Sequence, residues 1–167
     1  HQSDEISILI TDFDDISTNA WFDYNLQKMS SISASLATAK FNQLRHGKLA
    51  VFDSRVFQIH DRIEVENYFI ARQKDATRNS ITSVAKSLYS HKELHGKSSN
   101  ELQELIVQKG QNWNDYPVSV KRGQTIVREV YDKNGATRSR WTGVETPIFT
   151  QERKFLNSII PIREQFS

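Results

Sequence analysis

The chain has 167 residues, with 22 Lys and Arg against 20 Asp and Glu, a net charge of +2. Hydrophobic residues make up 37%, with three Trp, five Tyr and nine Phe, which supports a packed core and argues against disorder. There is no cysteine, so disulfides and thiolate zinc sites are excluded; no apolar run reaches the roughly 20 residues that a membrane helix needs.

Taken in chain order, Glu5–Thr11 is rich in β-branched residues and predicts a central strand, broken by the acidic run Asp12, Phe13, Asp14, Asp15. From Tyr24 to Leu44 there is no Gly or Pro, and Leu26, Met29, Ile32, Leu36 and Phe41 fall at roughly helical spacing. The small residues between them, such as Ser30, Ser33, Ala37 and Ala39, would let a helix lie close on a sheet, with Gly47 as its stop. Leu49–Phe52 and Val56–Ile59 predict strand segments. Asp61 is placed to cap a long helix from Ile63 to about Ser90, and Glu64 and Glu66 suit its first turn. Ser98 or Ser99 would cap a helix from Asn100 to Lys109, ended by Gly110. Asn112–Pro117 is a loop. Gln124–Val130, the Asn134-Gly135 turn and Arg138–Thr142 predict a hairpin, and Glu152–Asn157 a short last helix. The class is α+β, helices packed on one sheet, in the order of the later portion of a ferredoxin-like unit. The length suits a single domain, residues 1–167. The polar lead of four residues into an apolar stretch leads us to expect further chain upstream.

Three stretches carry possible chemistry. Ser3-Asp4-Glu5 precedes the first apolar segment. Carboxylates at a strand edge can hold magnesium, which clamps the attacking and leaving oxygens of phosphoryl transfer; the plain alternative is a solvated strand start. Arg72–Ser80 puts Arg78 near Lys74, and Asn79 near Asp75, on one helix face. That face suits either a phosphate-lined cleft or an exposed surface. Lys97, Lys121 and Arg122 are candidates for phosphate contact, with Gly123 permitting close approach. Trp113 and Tyr116 would either stack on a base or pin their loop to the core. His1, His46, His60, His91 and His95 show no metal-ligand spacing.

The order and wording of these segments resemble the tRNA-His guanylyltransferase family. Gln2–Ser7 is similar to its second metal-binding segment, and Phe52–Val56 to the segment after its palm helix. Asn67–Phe69, Arg72-Gln73 and Asp75–Ser80 resemble the long-helix signature of the bacterial and phage-type like-protein branch. Ser90–Leu94, Gly96-Lys97, Asn100–Leu102, Asn112–Asp115 and Lys121–Gly123 continue the match, which covers residues 1 to about 130 in collinear order.

The resemblance implies a polymerase-type palm, residues 1–60, followed by a helical and hairpin region, 61–167. It implies addition of nucleotides to the 5′ end of tRNA, with two Mg2+ ions and with GTP and ATP as substrates. Asp4 would be the metal ligand, and Glu5 beside it a catalytic or structural carboxylate. Ser3, Arg55, Arg78, Asn79 and Asn114 would contact nucleotide, and Lys97, Lys121 and Arg122 would contact tRNA. A homotetramer is also implied, and the absence of cysteine fits a cytoplasmic location. Two departures stand out. The family's first metal carboxylate lies in an earlier Asp-Gly segment that these residues do not contain, so the chain is expected to be the carboxyl-terminal two-thirds of the catalytic domain, inactive and aggregation-prone alone. Thr77–Ser80 stands where eukaryotic enzymes carry His-Ile-Asn-Asn, which points to the like-protein branch, whose members typically repair truncated tRNA 5′ ends and need not add the extra guanosine of histidine tRNA. A catalytically inactive tRNA-binding module is the alternative; a nucleotide cyclase palm has no support from the Asp75–Ser80 and Asn112–Asp115 segments.

Overall fold

The computed structural model describes residues 1–13, 17–45 and 47–162. Asp14 and Asp15 of the acidic run, and His46, lie outside them. The chain forms two compact units, His1–Ile8 with Ile63–Ile160, and Leu9–Arg62 with Pro161 and Ile162.

In the second unit, helix α1 spans Leu26–Leu44. Asn25 caps it, its side chain accepting from the Lys28 amide at 3.0 Å. The serines and other small polar residues of α1 bond directly to the extended segment that follows. Asn42 donates to Ala50 O at 2.7 Å and accepts from Ala50 N at 3.0 Å. Thr38 Oγ1 accepts from Phe52 N at 3.0 Å, and Ser30 Oγ donates to Ser54 O at 2.7 Å. These residues recur every four to eight positions along one helix face, so α1 side chains satisfy the backbone groups that a neighbouring strand would otherwise take.

The first unit is built on helix α2, Arg62–Leu88. Helix α3 is the single turn His91–Leu94, and α4 spans Ser99–Gln108. Both open with a capping box, Ser90 with Glu93 and Ser98 with Glu101. Leu102 and Ile106, four apart on α4, pack against Ile81, Val84 and Ala85 of α2. Trp113 and Tyr116 close over this cluster. Helix α5, Val118–Arg122, leads into strand β1, Thr125–Lys133, paired antiparallel with β2, Ala136–Val144. Asn134 (φ 59°) and Gly135 (φ 75°) are both left-handed, as a two-residue type I′ turn requires. Helix α6, Arg153–Ile159, buries Leu156. The buried amide of Gln73 donates to Pro147 O at 2.8 Å and accepts from Phe149 N at 2.9 Å, which ties the segment before α6 to α2.

The α+β class holds. The strands expected at Glu5–Thr11, Leu49–Phe52 and Val56–Ile59 do not form ladders among the described residues; β1 and β2 make the one sheet there. Ile8 is 71% exposed and Leu49 and Val51 are each 78% exposed, so the first segment is not a buried central strand. A β-branched composition favours an extended backbone, but a strand exists only where a partner offers its amides. The long helix ends at Leu88, two residues earlier than expected, where Ser90 starts α3. No described helix is long and apolar enough to cross a membrane.

Candidate metal and nucleotide site

Gln2 and Glu5 exchange both backbone hydrogen bonds, 3.1 Å each, and so close a tight turn with Ser3 and Asp4 at its tip. Ser3 takes φ 53°, a left-handed value uncommon for a residue with a Cβ. Both legs of the turn are anchored. His1 N and O bond Gln124 O and N at 2.8 Å each, and Gln2 Nε2 donates to Val120 O at 3.3 Å. Gly123 makes this approach possible: at φ 85° it lies so close to His1 and Gln2 that an added Cβ would stand 2.9 Å from the Gln2 Cβ. The space beside Gly123, expected to admit a phosphate, is therefore filled by the protein's own backbone. On the exit side Ser7 Oγ lies 3.0 Å from Tyr68 OH.

Glu5 is held from α2. Arg72 Nε donates to Glu5 Oε1 at 2.6 Å, and Arg72 Nη2 bonds Glu5 Oε2. The third nitrogen, Nη1, donates to Asp75 Oδ2 at 2.9 Å, and Arg78 Nη2 donates to Asp75 Oδ1 at 2.8 Å. The result is an alternating ladder, Glu5–Arg72–Asp75–Arg78, whose last three members recur at i, i+3 along α2. The hydrogen bond with Glu5 is the main cause of a raised Arg72 pKa. Arg78 ends the ladder with its side chain 65% exposed, and the neighbouring Asn79 is exposed.

Ser80 is the next node on α2. Its buried hydroxyl lies 2.8 Å from Thr77 O and 3.3 Å from Lys121 O, and accepts the Trp113 indole N–H at 3.0 Å. Lys121 Nζ sits 5.6 Å over the Trp113 ring and bonds Asn114 O. Tyr116 OH donates to Gln111 Oε1 at 2.7 Å. Of the two readings for Trp113 and Tyr116, these contacts are the pinning one. Arg122 Nε donates to Thr146 O at 3.3 Å. Asn114 is exposed and lines a groove of about 520 Å³ with Gln103, Glu104, Val107, Asn112 and Trp113.

Hydrogen bonds thus link Glu5, which closes the Ser3-Asp4 turn, to Arg78 in one chain, and contacts link Asn114 and Lys121 in another around Ser80. Lys97 stands apart, exposed in the link before α4. Arg55 belongs to the other unit, 89% exposed and 3.7 Å from Asp53. Sequence reasoning missed Arg72, Asp75 and Ser80 as organising residues. The i, i+3 charge alternation of the first two was visible, but their link to Glu5 spans 67 positions and has no local signal.

Magnesium takes oxygen donors and needs only one or two protein carboxylates, with phosphates and water completing its shell. Asp4 fits: its side chain is exposed at the turn tip, with no ionic or hydrogen-bonded partner among the described residues. Glu5 fits less well, since Arg72 occupies both its oxygens. Among the described residues no three His, Asp or Glu side chains gather to cage a metal.

No family model and no curated protein matches the chain. Solved structures do, among them two nucleotide complexes. One is a bacterial tRNA(His) guanylyltransferase (Thg1)-like protein in complex with ATP, with TM-score 0.83 and 45% identity over 97% of this chain and 69% of its own. The other is a bacterial tRNA(His) guanylyltransferase (Thg1)-like protein in complex with GTP, with TM-score 0.79 and 45% identity over 97% of this chain and 68% of its own. At that identity and coverage, the chain belongs to the tRNA-His guanylyltransferase family, in its bacterial Thg1-like branch.

Proposed function

We propose that the protein is a magnesium-dependent nucleotidyltransferase that extends the 5′ end of tRNA, by tRNA-His guanylylation or by template-dependent repair of truncated ends. The 3′ hydroxyl of an incoming nucleotide, typically GTP, attacks the α-phosphate of a 5′-triphosphorylated or ATP-activated tRNA. The new phosphodiester forms as the bond to the leaving group breaks; from a triphosphate the leaving group is pyrophosphate. Asp4 would hold the metal, whose bound charge neutralises the attacking and leaving oxygens. Ser3, on the same turn, is assigned to the nucleotide phosphates. Arg78, Asn79, Asn114 and Arg55 are each assigned to nucleotide contact. Lys97, Lys121 and Arg122 are assigned to tRNA phosphates. The observation that carries the reading is Asp4, an unpartnered carboxylate on a braced turn, in a chain whose relatives bind ATP and GTP.

The test incubates the intact gene product with labelled GTP, ATP, Mg2+ and a tRNA lacking its first nucleotide. Label entering the tRNA only when Mg2+ is present supports the reading. Salt-sensitive tRNA binding without incorporation would replace it with the inactive binding module.

A further inference from the structure

The ladder on α2 is more than a surface ion pair. Arg72 spends three nitrogens on two carboxylates, two on Glu5 and one on Asp75. Pairs this exposed contribute little to stability, and α2 is already fixed by Ile81, Val84 and Ala85 in the core. What the ladder does fix is geometry. Glu5 is the closing residue of the Ser3-Asp4 turn, so clamping its carboxylate immobilises the residue next to Asp4. Ser3 is held left-handed in that turn, a conformation that persists only where the surroundings impose it. At the other end, Asp75 divides its two oxygens between Arg72 and Arg78. One guanidinium therefore orients both the turn that presents Asp4 and the side chain of Arg78.

We infer that Arg72 is a positioning residue, which sets the geometry of Asp4 for a divalent cation through Glu5 and aims Arg78 at the nucleotide phosphates through Asp75. This rests on the readings of Asp4 as the metal ligand and of Arg78 as a nucleotide contact. In this role Arg72 acts through Glu5 and Asp75, which take three of its nitrogens. Its part is that of the outer-shell groups that orient metal ligands, whose removal typically costs 10–100-fold in metal affinity. The planar fork matters as well as the charge, because a lysine ammonium cannot bond both oxygens of Glu5 in one plane and reach Asp75 together.

The experiment uses the intact gene product and a fluorescent GTP analogue, with binding titrated against Mg2+. Arg72→Ala is expected to raise the Mg2+ midpoint about tenfold or more. Its melting temperature and its tRNA binding in EDTA should stay near wild type. Arg72→Lys should show the same shift, as should Glu5→Gln, which changes one exposed side chain and so carries the test if Arg72→Ala folds poorly. Combining Arg72→Ala with Glu5→Gln should add little to Arg72→Ala alone, which already removes the Arg72–Glu5 contact. A wild-type midpoint in Arg72→Ala or in Glu5→Gln overturns the inference, as does full rescue by Arg72→Lys. Asp4→Ala separates the two levels. If Asp4→Ala keeps the wild-type midpoint, the reading of Asp4 fails and this inference with it. If it abolishes Mg2+ dependence while Arg72→Ala changes nothing, only the inference fails.

Discussion

The indole nitrogen of Trp113 donates to the hydroxyl of Ser80 across 3.0 Å, and Ser80 is 2% exposed. One buried hydroxyl thus joins α2 to the Asn112–Pro117 loop and, through Lys121 O at 3.3 Å, to α5. A buried donor left without an acceptor costs about 1–3 kcal/mol. Ser80→Ala should destabilise the protein by that order in urea unfolding and shift the Trp113 fluorescence. Unchanged unfolding would show that the indole finds another acceptor.

Gly123 should not tolerate a side chain. Its φ of 85° and ψ of −172° lie in a region essentially reserved for glycine, where other residues cost about 1–3 kcal/mol. An alanine methyl would also press on the His1 carbonyl and on Gln2. Gly123→Ala should therefore lower the melting temperature and loosen the leg of the turn that carries Asp4, weakening Mg2+-dependent nucleotide binding. A variant with wild-type melting and binding would contradict this placement of His1 and Gln2.

The two capping boxes should make stability fall on acidification. Glu93 and Glu101 both have pKa values below the ordinary carboxylate value, first because of side-chain hydrogen bonds from Ser90 and Ser98 and then because of the backbone amides. The sign follows from the lowered folded pKa: the stabilisation is present above the unfolded pKa and is lost as pH falls through the folded one. Ser98→Ala should cost about 1 kcal/mol at neutral pH. The difference from wild type should shrink in acid, as unfolding at both pH values would measure. A constant difference would mean that Glu101 takes no part.

Most helices and the hairpin were legible because their signals are local. The Asn134-Gly135 turn, the Ser98 cap and the apolar spacing of α2 and α4 each act within a few residues. Ser90 and Glu93 carry the same capping signal at the same spacing, but α3 is a single turn that follows α2 so closely that the helical pattern runs on to Ser90. The strands were misread for a different reason. Composition reports backbone preference, whereas pairing depends on which distant groups supply hydrogen bonds, and around Ala50 and Phe52 those are side chains of α1. The candidate site offered Asp4, Glu5 and Arg78 as residue types. It was not legible as an arrangement, because Arg72 meets Glu5 and Gly123 meets His1 across long stretches of sequence.

The most direct test of the account is a comparison of wild type with Asp4→Ala in the intact gene product. Incorporation of labelled GTP into a tRNA lacking its first nucleotide would be measured in one turnover, beside tRNA binding in the absence of metal. Removing the one carboxylate assigned to the metal should abolish incorporation and leave tRNA binding and melting temperature close to wild type. Incorporation at the wild-type rate by Asp4→Ala would show that this turn is not the metal centre.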